Sequence, residues 1–134
     1  MILIDTSVLS LAYRRRIMTG SEPPLVRTLR RLVEEDQPIA IPGIVLQELL
    51  SGVRTPNEFD RLQVLMEGFP LLIATHEHHV GAAKIANSCH QAGIAASTVD
   101  CLIAAMAVAV KSQLLTGDDD FGRMAPHCGL QLFT

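Results

Sequence analysis

The sequence predicts an α/β fold built on a buried, mainly parallel sheet, and three observations carry that prediction. Short apolar runs alternate with longer segments of helical period. The interior has to be aliphatic, because 49% of the residues are hydrophobic while there is no Trp, one Tyr and four Phe. Leu, Ile, Val and Ala suit helices laid over a sheet that is covered on both faces. Finally, 134 residues is close to the usual size of one domain, so a single core spanning 1–134 is expected. No internal repeat, linker or low-complexity stretch interrupts it.

Taken in order, residues 1–4 form an apolar run ending at Asp5, a buried strand. Thr6 or Ser7 then caps a helix over 7–16, with Val8, Leu9, Leu11 and Ala12 as its apolar positions. Pro23 and Pro24 signal a helix start, and 25–35 places Leu25, Leu29, Leu32 and Val33 at helical spacing. Residues 38–42 form a strand bracketed by prolines. Pro42 falls where a first helical turn tolerates it, and Ile44, Val45, Leu46, Leu49 and Leu50 carry that helix to Gly52. Thr55, Pro56 and Asn57 open another helix, which ends near Gly68. Residues 71–73 are a strand. A helix over 76–92, with Val80, Ala83, Ile85 and Ala86 as apolar positions, is stopped by Gly93. Thr98 caps a helix over 99–111 that is almost wholly apolar except for Asp100. Residues 114–116 are a strand, 118–124 a short helix or turn, and 130–132 a last strand.

The longest apolar candidate, 101–110, is about half of what a membrane span needs, and the N-terminus lacks the basic and apolar regions of a signal peptide. Cys89, Cys101 and Cys128 are odd in number and show no CxxC spacing. They read as free thiols in a reducing compartment, and a cytoplasmic location is expected. Net charge is −3, which by itself does not suggest a nucleic-acid partner. The distribution says more. Arg14, Arg15, Arg16, Arg27, Arg30 and Arg31 crowd the first quarter of the chain. They mark either a solvated helix face or a surface for anions.

The acids carry the chemistry. Asp5 follows the first strand and Asp118 follows the 114–116 run, so both should emerge at the edge of a parallel sheet where ligands bind. Asp100 stands in the first turn of an apolar helix, where the helix dipole favours its charge but its neighbours imply burial. Glu48 lies among Leu46, Leu49 and Leu50 on a helix that follows another strand. Each has a bland reading: a cap for Asp5, a dipole partner for Asp100, a solvent-facing acid for Glu48, an acidic turn for Asp118. Their conjunction favours a shared role. Converging carboxylates repel one another, and a hard divalent cation that prefers oxygen ligands relieves the repulsion.

Four motifs, I-D-T-S-V-L at 4–9, V-L-Q-E-L at 45–49, D-C-L-I-A-A-M-A at 100–107 and L-L-T-G-D-D-D-F at 114–121, give the chain a resemblance. It is similar end to end to the PIN-domain family and, more narrowly, to its VapC-type toxin ribonucleases. The resemblance implies a Rossmann-like, three-layer fold with a mainly parallel central sheet of four to five strands flanked by helices. It implies a site in which Asp5, Glu48, Asp100 and Asp118 hold Mg2+, with Mn2+ as a substitute. The expected activity is endoribonuclease cleavage by metal-activated water, leaving a 5′-phosphate and a 3′-hydroxyl. The partners implied are an RNA substrate, a cognate VapB-type antitoxin folded over the active groove, and a second copy in a homodimer. Ser7 and Thr116 match small hydroxyl residues that support the acids. Asp120 falls where members often carry a further acid, which either contacts the metal through water or caps the short helix. Of Asp118 and Asp120, Asp118 is the preferred ligand. Arg14, Arg15 and Arg16 are candidates to grip RNA phosphates or acidic residues of the antitoxin.

Other signals are set aside. His76, His78 and His79 could attract a transition metal, but a surface position at a helix start is the expectation. Cys101 reads as packing. There is no phosphate-loop glycine spacing and no GxSxG elbow. A phosphoacceptor receiver domain would need an acidic pair after the first strand and a lysine after a late one; the chain has a single Asp5 and no lysine beyond Lys111. Two closer rivals remain: a non-catalytic PIN-like RNA-binding module, which loss of an acid would mark, and a PIN nuclease of RNA processing without an antitoxin.

Overall fold

The computed structural model describes residues 1–14 and 22–134, so Arg15 and Arg16 lie outside the described residues. Strand β1 (Ile2–Ile4) leads into α1 (Thr6–Leu9), which widens into a π-helical stretch, Ser10–Arg14. Helix α2 (Pro24–Glu34), β2 (Ile39–Pro42), α3 (Gly43–Leu50), α4 (Pro56–Met66) and β3 (Leu71–Leu72) follow. The chain then forms α5 (His76–Gln91), α6 (Thr98–Ala109), β4 (Gln113–Leu115) and α7 (Asp119–Met124), and ends its helices in a 3-10 turn, Ala125–His127.

The strands pair in the order β3-β2-β1-β4, and every pairing is parallel. Ile2 aligns with Ile39 and with Gln113, so β1 is central, and its three residues are buried because helices cover both faces. The order runs outward from β1 to β3 and then jumps back across β1 to β4. Right-handed crossovers therefore put α1–α4 on one face and α5–α6 on the other, giving three layers. The packing agrees: α1 touches α2 and α3, α3 touches α4, and α5 and α6 form the most extensive helix pair. That pair is close because it is made of small residues. Ala82 of α5 and Ala104, Ala105 and Ala107 of α6 are buried, and a Cβ on Gly81 would sit 3.6 Å from that of Ala105. None of the helices among the described residues is long and apolar enough to cross a membrane.

Several boundaries differ from the sequence reading. The helix expected over 7–16 is α1 plus the π-helical stretch, and neither Thr6 nor Ser7 caps it; Asp5 occupies the cap position. Pro42 closes β2 and caps α3 rather than lying in its first turn. Ser97, not Thr98, caps α6, its hydroxyl accepting from the Asp100 N–H at 3.0 Å. Strand β4 ends at Leu115, opposite the last residue of β1, and the Thr116 hydroxyl beyond it enters the acid site described below. The last strand reduces to a single parallel bridge, Leu114 to Leu132. On α2, Val33 is exposed and Val26 takes its place in the core; on α5, Ala83 and Val80 face outward while Ala82 and Cys89 are buried.

His78 is also not a surface residue. It is buried in a reciprocal cap: the Thr75 hydroxyl accepts from the His78 N–H, and the Thr75 N–H donates to His78 Nδ1 at 3.1 Å. The imidazole does here what a glutamate does in the common capping box. The three cysteines are free, Cys89 and Cys101 buried and Cys128 half-buried, and burial pushes the Cys101 and Cys128 thiols up.

Candidate active site

In open parallel sheets a crevice forms outside the carboxyl ends of the strands, where the strand order reverses. Here that point lies between β1 and β4, and the loops leaving these two strands carry Asp5 and Asp118.

Asp5 is 4% exposed. Its N–H donates to the Leu115 carbonyl at 3.0 Å, fixing it against the end of β4. Although it holds the cap position of α1, its side chain makes no capping bond. Instead the hydroxyls of Ser7 and Thr116 each donate to Asp5 Oδ2 at 2.8 Å. Each hydroxyl oxygen also accepts a backbone N–H: Ser7 from Gly117 of the opposite loop at 2.9 Å, and Thr116 from Asp118 of its own loop at 3.0 Å. The two loops are thus stitched together through one carboxylate, and the two hydroxyl oxygens themselves lie 3.4 Å apart. Gly117 belongs to this close approach. A Cβ there would lie 2.7 Å from Leu25 Cδ1, so any side chain would have to push Leu25 aside.

Glu48 comes from the other sequence-distant element, α3. It is half-buried, and its Oε1 accepts from the Thr6 hydroxyl at 2.8 Å. Asp118 caps α7, its Oδ1 accepting from the Asp120 N–H at 2.9 Å. Asp100, Asp118 and Asp120 each present one carboxylate oxygen, and these atoms lie within 4.8 Å of one another. The site's fields meet at Asp100. Its carboxyl is pushed up to about 6, first by burial; hydrogen bonding from Ser97 opposes this, and repulsion by Asp118, Asp5 and Glu48 adds to it. A set of hard oxygen donors that repel one another in a half-buried cleft fits a hard divalent cation.

The PIN domain family model matches residues 2–126. The chain belongs to the PIN-domain family. Within it, the chain is 35% identical over 133 residues to Ribonuclease VapC11 of Mycobacterium tuberculosis, covering 98% of this chain and 96% of that protein. The same values relate it to a VapC ribonuclease of Mycobacterium bovis. Among solved structures, it resembles VapBC2 from Rickettsia felis bound to a promoter DNA fragment (TM-score 0.78, 22% identity, 99% of this chain and 98% of that one). It also resembles FitAcB from Neisseria gonorrhoeae (TM-score 0.75, 21% identity, 100% and 97%). At those identities the likeness is one of fold.

The structure of this PIN domain sets ligand atoms of Asp100, Asp118 and Asp120 within 4.8 Å of one another and brings Asp5 and Glu48 near enough to act on the charge of Asp100, with Ser7 and Thr116 against Asp5. It sets Asp120 among the clustered carboxylates, where the sequence left its position open. Arg14 lies elsewhere, lining a cleft with Val53, Arg54, Thr55 and Glu58. Three participants were missed. Thr6, one of the two cap residues that the sequence offers, instead holds Glu48. Ser97 anchors the turn that presents Asp100. Arg123 forms an ion pair with Asp120; its one signal in the sequence was the i, i+3 spacing between them.

Proposed function

We propose that this PIN-domain protein is a Mg2+-dependent endoribonuclease and the toxin of a toxin–antitoxin pair. The observation that carries the reading is the convergence of four carboxylates from β1, α3, α6 and the β4–α7 loop, centred on an Asp100 whose proton is held to about 6. The VapC ribonuclease relatives, aligned along nearly the whole chain, supply the reaction class, and the VapBC likeness supports a VapB-type antitoxin as partner.

Asp5, Asp100 and Asp118 would hold the ion, with Glu48 completing the set. When bound, Mg2+ supplies Lewis acidity to a phosphate oxygen and lowers the pKa of a water. The chain does the rest. Ser7 and Thr116 both donate to Oδ2 of Asp5, which orients the carboxylate and leaves Oδ1 for a cation. Thr6 does the same for Glu48, engaging Oε1. The α6 N-terminus presents Asp100 rigidly, because Ser97 fixes the turn before it. A cation at this site favours the charged form of Asp100, so binding releases a proton at pH values near and below about 6. Hydrolysis by water needs no histidine, and the clustered ligand atoms among the described residues are all carboxylate oxygens.

The test is direct. Purified protein incubated with total RNA should cut it in Mg2+ and leave it intact in EDTA, and Asp100→Asn should lose at least a hundredfold in rate while melting cooperatively. Cleavage that survives EDTA, or an Asp100→Asn enzyme with wild-type turnover, contradicts the reading.

A further inference from the structure

We propose that Arg123 binds an RNA phosphate at the mouth of the acid cluster, and that Asp120 controls when its guanidinium is available. This rests on the ribonuclease reading above and assigns the site a substrate-binding residue.

A cluster of carboxylates on a chain of net charge −3 repels polyanions, so an RNA-cutting site gains from a cation aimed at the phosphate. Among the described ion pairs, one touches the clustered acids, and that one is Arg123 with Asp120. Both sit on α7, three residues apart. The helix is short but firmly placed, since Phe121 and Met124 between and beside them are fully buried. The Arg123 side chain is 61% exposed, and among the described hydrogen bonds only its Nη2 is engaged, by Asp120. The other N–H groups of the fork have no partner among the described hydrogen bonds. Guanidinium geometry matches phosphate oxygens in pairs.

Asp120 has two suitors. One of its oxygens lies within 4.8 Å of ligand atoms on Asp100 and Asp118, and its Oδ1 takes the Arg123 donor. A divalent cation drawn to the cluster competes with Arg123 for that carboxylate. As Asp120 turns its charge toward the cation, directly or through water, the guanidinium is released toward phosphate. Cation binding and RNA binding then reinforce each other through this pair, beyond the neutralisation that any bound cation provides.

The experiment is fluorescence anisotropy of a labelled RNA oligomer across a salt series, in Ca2+ and in EDTA, with gel electrophoresis confirming that the RNA stays intact. Wild type, Arg123→Ala, Arg123→Lys and Asp120→Asn are compared, with thermal melts reporting the fold. Wild type should bind more tightly in Ca2+. Arg123→Ala should lose about tenfold in that condition, and its salt slope should fall by about 0.7, one single-strand phosphate contact. Arg123→Lys should keep the slope and recover part of the affinity. Asp120→Asn frees the guanidinium without a cation, so it should bind RNA several-fold more tightly than wild type in EDTA. An Arg123→Ala protein with wild-type affinity and slope overturns the inference, as does an Asp120→Asn protein whose affinity in EDTA is unchanged. If wild type still cuts RNA in Mg2+ in either case, the ribonuclease reading stands without this inference. If wild type neither binds nor cuts RNA, both fall.

Discussion

Asp100 concentrates the electrostatic strain of the site. Its carboxyl is raised from 3.8 to about 6, chiefly by burial and then by the acids around it. An acid held above its unfolded value adds stability that is fully present below the unfolded pKa and is lost as pH climbs through the folded one. Stripped of divalent ions, the protein should therefore lose stability as pH rises from about 4 to about 6.5. Asp100→Asn, neutral throughout, should not share that loss. Melts in EDTA across the window should show the wild-type Tm falling relative to the variant's; parallel curves would mean the carboxyl is not strained. Asp5 and Asp118 were legible as site residues because Asp5 directly follows one apolar strand and Asp118 comes within three residues of the end of another, and strand ends define the crevice. Thr6 and Arg123 were not. Thr6 and Ser7 are adjacent hydroxyls that diverge to Glu48 and Asp5, and only three-dimensional placement separates their roles.

At the scale of elements, the alternation of apolar runs and helical periods identified each strand and most helices, while their ends depended on partners that sequence does not display. Thr116 continues an apolar run in sequence, yet β4 stops before it, where its partner β1 ends, and its hydroxyl serves Asp5 and Asp118. The 130–132 segment looks like a strand but finds one bridging partner, at Leu114. Helix α6 shows what a correct boundary is worth. Its cap is Ser97, whose hydroxyl takes the N–H of Asp100 itself. Ser97→Ala should cost about 1 kcal/mol, seen as a lower urea midpoint with an unchanged slope. A variant as stable as wild type would mean the cap does not hold this turn.

For the molecule as a whole, the strand order β3-β2-β1-β4 decides where chemistry can occur. The reversal next to β1 opens the crevice, and the α1 and α7 approaches to it bring acids more than a hundred residues apart in sequence into one field. A field of this kind is suited to holding a divalent ion. Calorimetric titration of Mn2+ into wild type, Asp5→Asn and Asp100→Asn measures it most directly. Wild type should bind saturably and each variant at least tenfold more weakly, with all three remaining folded. Equal binding to all three proteins, or none to wild type, would contradict a role for these acids in holding the ion.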